Sequence, residues 1–336
     1  MHLASQKPFQ IPSEREDAPR CQKRLGEGTY GEVFAATYQN REMAVKRLKQ
    51  INQFGLHQTQ YTELIVAQSL SINQHHNNIV NTEFIYVQNQ LVHLAMEFCD
   101  CMLIKIFEQR LTKLERKAVY KQTLEGLQYL HHNNFLHCDL KPQNIMVRFM
   151  PTGDHQYTTY IKIGDFGMGE FINQRSSGSI FTPHKDFKWT AGYRPPEIIC
   201  GYTDLCLKSD VWSLGVTFLE LQSGKNIFAS LTAERYEELY KQKFSALINA
   251  LNNDEEIESS FEFMDMFDYD ADEREFLQAM LEFDVRKRLN CDELLEHPFL
   301  HEDFGSVYEK VGQGMRGELT KLKESQFAAE EQEWHD

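Results

Sequence analysis

The chain has 336 residues, 41% of them hydrophobic and 25% charged, a globular make-up that excludes wholesale disorder or a collagen-like fibre. Thirty-five basic against fifty acidic residues give a net charge of −15, which argues against electrostatic binding of nucleic acid. No apolar run reaches the roughly 18 residues that a membrane helix needs, residues 1–19 lack an apolar stretch of signal-peptide kind, and seven scattered cysteines without a C-x-x-C pair read as reduced thiols. The expectation is a cytoplasmic or nuclear protein with no membrane and no nucleic-acid partner.

Residues 1–19 are polar, hold Pro8, Pro12 and Pro19, and read as a flexible segment. Residues 20–48 read as strands, with short runs rich in Val, Phe and Tyr broken by a glycine turn at 26–31 and a polar turn at Gln39-Asn40. Tyr61, Leu64, Ile65 and Gln68 recur near one-turn spacing and predict a helix over 57–70. Strand-like runs follow at 79–87 and 91–97. Thr112 with Glu115 is a capping box, opening a helix whose stripe of Leu114, Ala118, Leu124, Leu127 and Leu130 runs to His131. Residues 208–222 are apolar nearly all round, as in a helix at a domain centre. Further helices are predicted near 232–251, 273–282 and 292–297. The fold class is therefore α+β, a small β-rich lobe followed by a larger helical one, with a hinge near Met96–Asp100.

Charge is unevenly placed. Between Asp254 and Glu275 stand eleven acidic residues and one basic one, Arg274. This stretch reads as a solvated loop or as a docking face for a basic partner. The pairs His75-His76 and His131-His132 lack the companions of a metal site and read as loop and helix-end histidines. Val307, Val311, Met315, Leu319 and Leu322 give the tail at 301–336 a helical spacing, predicting that it packs on the large lobe, with partner docking as the alternative.

The chemistry begins at Gly26-Glu27-Gly28-Thr29-Tyr30-Gly31, a G-x-G-x-x-G run. A dinucleotide site would start a helix at the third glycine; here Glu32 to Tyr38 reads as strand, and Ala44-Val45-Lys46 follows. A glycine turn between strands that lead to such a lysine is the phosphate cover of a protein kinase. Further on come His137-Cys138-Asp139-Leu140-Lys141-Pro142-Gln143-Asn144, then Asp165-Phe166-Gly167, Arg194-Pro195-Pro196-Glu197, Asp210-Val211-Trp212-Ser213-Leu214-Gly215 and Arg288. From Leu25 to Phe299 this ordered set resembles the eukaryotic-type serine/threonine protein kinases.

The resemblance implies a bilobal kinase domain over 20–300, with lobes 20–98 and 99–300, ATP and Mg²⁺ as cofactors, and protein Ser/Thr hydroxyls as substrates. It places Lys46 on the ATP phosphates, held by Glu63 from the following helix. Asp139 is the base, Lys141 the neutraliser of the γ-phosphate, and Thr190 the bridge between them. Asn144 and Asp165 are the metal ligands, oxygen donors of the kind Mg²⁺ prefers. Gly26, Gly28 and Gly31 approach the phosphates, Leu25, Val33 and Ala44 roof the base, and Met146 floors it. Met96 is the gatekeeper, and the backbones of Glu97 and Cys99 meet the adenine edge. Arg288 stands where the family's late arginine pairs with Glu197.

Two departures carry weight. Cys138 occupies the position where most of the family has an arginine that grips a phosphate on the activation segment; a thiol cannot do so, although Arg175, Lys185 or Lys188 could replace it. Arg194 resembles the cyclin-dependent, mitogen-activated and dual-specificity branches, yet Trp189 stands where those have a smaller residue, so the substrate consensus stays open. A pseudokinase scaffold and a small-molecule kinase are the competing readings. The presence of Lys46, Asp139, Asn144 and Asp165 argues against the first, and the long Asp165–Glu197 segment against the second.

Overall fold

The computed structural model describes residues 15–49, 56–72, 74–109, 111–153, 156–172, 189–199, 206–224 and 270–302, and in the tail positions 304, 308, 313–317, 319 and 320. The predicted helix at 232–251 and the acidic residues 254–269 lie outside them.

The small lobe is a five-stranded antiparallel sheet in the order β1-β2-β3-β5-β4. Its strands are β1 (Arg20–Glu27), β2 (Gly31–Tyr38), β3 (Arg41–Leu48), β4 (Thr82–Gln88) and β5 (Leu91–Glu97). The turns Gln39-Asn40 and Asn89-Gln90 join consecutive strands with positive φ at all four residues, the backbone twist that favours tight hairpins. Strand periodicity divides the apolar side chains between two faces. Leu48 and Leu94 pack inward with Leu64 of α1 (Gln58–Val66), while Tyr38, Met43, Val45, Tyr86 and Ala95 form an outer cluster. Of the N-terminal segment, Arg15 is described lying over the Phe84 ring at 4.2 Å and bonded to the Tyr38 hydroxyl. The strand predicted to open at residue 79 starts at Thr82, because Ile79 makes a separate parallel bridge to Ile163.

The large lobe is built around α2 (Lys113–His132) and α4 (Lys208–Ser223). The Thr112–Glu115 capping box forms as read. Leu114, placed in the buried stripe by sequence, is instead 39% exposed, being on the first turn outside the core, whereas Ala118, Leu124, Leu127 and Leu130 are buried. Tyr120 stacks on Phe218 at a centroid distance of 4.0 Å. Around this centre close α5 (Ala271–Met280) and α6 (Cys291–Leu295), with Phe276, Leu277 and Leu294 buried. The two-residue strand β6 (Cys101–Met102) with β8 (Ile145–Gly153) and β9 (Gln156–Ile163) forms a three-stranded sheet, and β7 (Phe135–Leu136) pairs with β10 (Glu170–Phe171). Where the lobes join, α2 passes so close that a Cβ on Gly126 would stand 2.3 Å from the Asn78 carbonyl oxygen.

The described end of the acidic stretch is engaged within the fold. Glu273 is fully buried and accepts from Arg116 and the Tyr120 hydroxyl, and Asp270 and Asp272 pair with Lys113. Of these carboxylates only Glu273 is buried, while Asp270 and Asp272 remain about half exposed. In the tail, Met315 and Leu319 join the large-lobe core, and the Arg316 guanidinium lies 3.5 Å from the Tyr157 ring centroid. Among the described residues no helix is long and apolar enough to cross a membrane, no three or more His, Cys, Asp or Glu side chains cluster as a metal site, and the described cysteines form no disulfide. The paired histidines have ordinary contacts: His76 stacks on Tyr129, and His132 meets Asp292.

Glu197, in the short helix α3 (Pro196–Ile199), is buried against Arg288 through two bonds of 2.8 and 2.9 Å, and Ser209 donates to the same carboxylate. Removing one partner strands a buried charge, which costs about 3–5 kcal/mol. Arg288→Met is expected to lower the unfolding free energy in urea by about that amount; a loss below about 1 kcal/mol would show the pair to be replaceable.

Candidate active site

The β1–β2 turn closes through a bond from the Gly28 N–H to the Gly31 carbonyl, 2.8 Å. A side chain at Gly31 would meet the Arg47 carbonyl at 3.0 Å and the Lys46 chain at 3.4 Å. Glycine there leaves Lys46 a passage beneath β2. Lys46 shares a face of β3 with Ala44 and Leu48, and its ammonium reaches Glu63 Oε1 at 2.6 Å and Asp165 Oδ1 at 3.3 Å. Burial works against the ammonium, but the Glu63 and Asp165 carboxylates outweigh it and hold its pKa above the ordinary lysine value. The Lys46 charge in turn, overcoming partial desolvation, holds Asp165 below the usual carboxylate value. Three elements from both lobes thus converge on one cation.

The loop after β7 is held from below by α4. Asp210, fully buried, accepts the backbone N–H groups of His137 at 2.7 Å and Cys138 at 2.9 Å, and His131 Nε2 at 3.2 Å. Cys138 sits in the left-handed region, φ 64°, which turns Asp139 toward the cleft between the lobes. His137 accepts the Asp139 N–H on Nδ1 and donates from Nε2 to the Gly164 carbonyl, tying this loop to the strand end before Asp165.

Asp139 is 8% exposed. Its Oδ1 accepts from the Thr190 hydroxyl at 2.6 Å, and its Oδ2 from Lys141 Nζ at 2.7 Å and Asn144 Nδ2 at 2.9 Å. Lys141 also donates to Thr190 at 2.9 Å. Asn144 Nδ2 bonds the Asp139 carbonyl as well, so its amide oxygen is the atom left for another partner. Asp165, φ 58°, is 52% exposed on its side chain, while Phe166 is buried edge-on to Phe135 and His137. The carboxylate faces the cleft because the neighbouring ring is anchored in the core.

The predicted base-binding residues fall mostly on the small-lobe strands and on β8. Ala44 of β3 pairs with Met96 of β5 and with Ala35 of β2, and Met146 lies at the start of β8 opposite Lys162. Val33, Met96, Cys99 and Met146 are half-buried, and Leu25 of β1 is 48% exposed. Burial and the nearby Glu97 carboxylate push the Cys99 thiol up to about 12, so it stays neutral. The Glu97 N–H donates to the Asn81 carbonyl at 3.0 Å. The Glu97 side chain is buried against Asn81, Arg148 and Lys162. Neither this cluster nor the grip of Asp210 on the loop is among the features the sequence predicts. The alternation of β8 and β9, with Arg148 and Lys162 inside apolar runs, was the signal for the first.

Cys138 is buried with Leu136, Trp189 and Ile198, and Met168, Ile172 and Leu207 pack around them. Arg194 is buried too, donating to the Trp189 carbonyl at 3.2 Å. Arg175, Lys185 and Lys188 lie outside the described residues.

A family model for the protein kinase domain matches residues 20–300. A protein named Probable cell division protein kinase, from Encephalitozoon cuniculi, is 28% identical over 284 residues, 84% of this chain and 96% of its own. Cell division control protein 2 homolog 3 of Trypanosoma brucei brucei is 29% identical over 305 residues, 83% of this chain and 90% of that one. The CTD kinase subunit alpha of Saccharomyces cerevisiae is 32% identical over 234 residues, 67% of this chain, which spans 41% of that longer protein. With a bilobal fold, a lysine shared between the lobes and a carboxylate loop at their junction, the chain belongs to the protein kinase domain family, as a serine/threonine protein kinase.

Proposed function

We propose that the protein transfers the γ-phosphoryl group of ATP to Ser or Thr hydroxyls of protein substrates, with Asp139 as the base. The observation that carries this reading is the arrangement around Asp139: one carboxylate between a lysine ammonium, a threonine hydroxyl and an asparagine amide, at the junction of the lobes. Phosphoryl transfer asks for positioning and charge neutralisation more than covalent help. Lys46, kept charged by Glu63, contacts the α- and β-phosphates. Leu25, Val33, Ala44 and Met146 enclose the adenine, with Met96 behind it and the Glu97 and Cys99 backbones at its edge. Asp139 orients the attacking hydroxyl and accepts its proton, and Lys141 neutralises charge on the transferred group. Thr190 fixes the distance between the two.

The donor set suits Mg²⁺: the Asn144 amide oxygen and the half-exposed Asp165 carboxylate supply one neutral and one charged oxygen. They are too few to hold a cation without phosphate oxygens, which fits a metal that arrives with the nucleotide. When bound, it would offset phosphate negative charge.

Asp139→Asn keeps the shape but removes the proton acceptor. Peptide phosphorylation is expected to fall by about 10²–10⁴ in kcat, the scale of a general base, with ATP affinity by calorimetry changed less than about threefold. Unchanged turnover would refute the assignment.

In the same reading, the end of the activation segment is held by packing. The apolar cluster of Cys138, Trp189 and Ile198 occupies the place where an arginine would meet a phosphate. Phosphates at Ser176, Ser177, Ser179 or Thr182, all outside the described residues, are then unnecessary for assembling the site. With all four changed to Ala, kcat/KM is expected within about tenfold of wild type, roughly 1.4 kcal/mol in barrier. A thousandfold loss rescued by acidic substitutions would contradict it.

A further inference from the structure

Gln60 is the third residue of α1, one turn before Glu63, and is fully buried. Polar side chains are rarely buried unless their hydrogen bonds are met, and Gln60 has a full set. Its Nε2 donates to the Tyr30 carbonyl at 2.6 Å and to the Lys49 carbonyl at 2.8 Å, and its Oε1 accepts the His57 N–H at 2.6 Å. Tyr30 belongs to the glycine turn, Lys49 follows β3, and His57 caps α1. The Lys49 N–H donates to the same Tyr30 carbonyl at 3.1 Å. Above this knot the His57 and Tyr30 rings stack, 4.7 Å between centroids and 18° from parallel.

A helix capping box needs only the bond from His57. The two donated bonds leave the helix altogether and end on the backbone that frames the phosphate site. We propose that Gln60 is a positioning residue, clasping the glycine turn to α1 so that the turn above ATP and the Lys46–Glu63 pair are held in register. The inference rests on the kinase reading above and adds to it the residue that sets the height of the turn over the nucleotide. Breaking the clasp removes one of two donors from the Tyr30 carbonyl and one from the Lys49 carbonyl, and it frees the turn to lift. His57 contributes through its ring, at the exposed end of the helix.

The test uses the full chain in three variants, with thermal melting as the check on folding. Gln60→Met keeps the shape and loses all three bonds; Gln60→Glu keeps the acceptor for the His57 N–H and loses both amide donors. His57→Ala removes the ring stack and the side-chain cap on the Thr59 N–H, but leaves the three Gln60 bonds in place and does not empty the core. The two Gln60 variants are expected to raise KM for ATP about tenfold with KM for peptide within about twofold, and His57→Ala to raise KM for ATP about threefold. In the protein without nucleotide, amide hydrogen exchange over residues 26–31 should quicken in both Gln60 variants while α2 and α4 keep their protection. Wild-type KM for ATP and unchanged exchange in Gln60→Met would overturn the proposal, as would wild-type behaviour of Gln60→Glu, which would reduce the residue to a helix cap. If the wild-type chain shows no phosphoryl transfer, the kinase reading fails. The exchange comparison then decides the clasp alone, by quickening at 26–31 or by its absence.

Discussion

Asp210 is the constraint on which the catalytic loop depends. A carboxylate without a single solvent-exposed atom would be costly to bury, and it is stable here because three donors converge on it: the N–H groups of His137 and Cys138, and His131 Nε2. The left-handed backbone at Cys138 costs about 1–3 kcal/mol for a residue with a side chain. Hydrogen bonds to a charged acceptor return about 1.5–3 kcal/mol each, so two of them outweigh that strain. The arrangement continues below: His131 must carry its proton on Nε2 to serve Asp210, which leaves Nδ1 beside the Cys291 thiol at 3.4 Å. Burial raises the Cys291 pKa and keeps that thiol neutral. A stack of buried groups in the large lobe thereby fixes the direction in which Asp139 points.

The small lobe reaches the same place by another route. Lys46 is held by Glu63 from α1 and by Asp165 from the large lobe, so the ion pair proposed to ready the phosphate site also spans the cleft. Asp165 is linked back to the catalytic loop through the His137 bond to Gly164. The two halves of the site are thus connected by one chain of charge-assisted and backbone hydrogen bonds. Glu97 braces the hinge through Asn81, Arg148 and Lys162.

Much of this was legible in the sequence because the chemistry dictates residue types at short spacings. Asp139, Lys141 and Asn144 lie within one loop, so the groups that meet at the carboxylate are adjacent in the chain, and the Thr112–Glu115 box and the all-apolar run at 208–222 announce their helices directly. Long-range polar bonds left no such trace. Nothing in the sequence shows that Gln60 turns its amide onto residues 30 and 49, or that Glu97 is buried among cations from β8 and β9. Periodicity misplaced Leu114 because the first turn of α2 projects beyond the core. Composition marked 254–275 as one acidic unit, whereas Glu273 is drawn inside by Arg116 and Tyr120.

The central claim is that Asp210 organises the loop for transfer and takes no part in holding the nucleotide. Asp210→Asn tests it most directly, because the amide keeps the volume but can offer only one acceptor oxygen to the two backbone N–H groups. With phosphoryl transfer to a peptide and ATP affinity measured on the same preparation, kcat is expected to fall at least about a hundredfold while the ATP dissociation constant stays within about threefold. Transfer at the wild-type rate, or a loss of ATP binding as large as the loss of transfer, would contradict it.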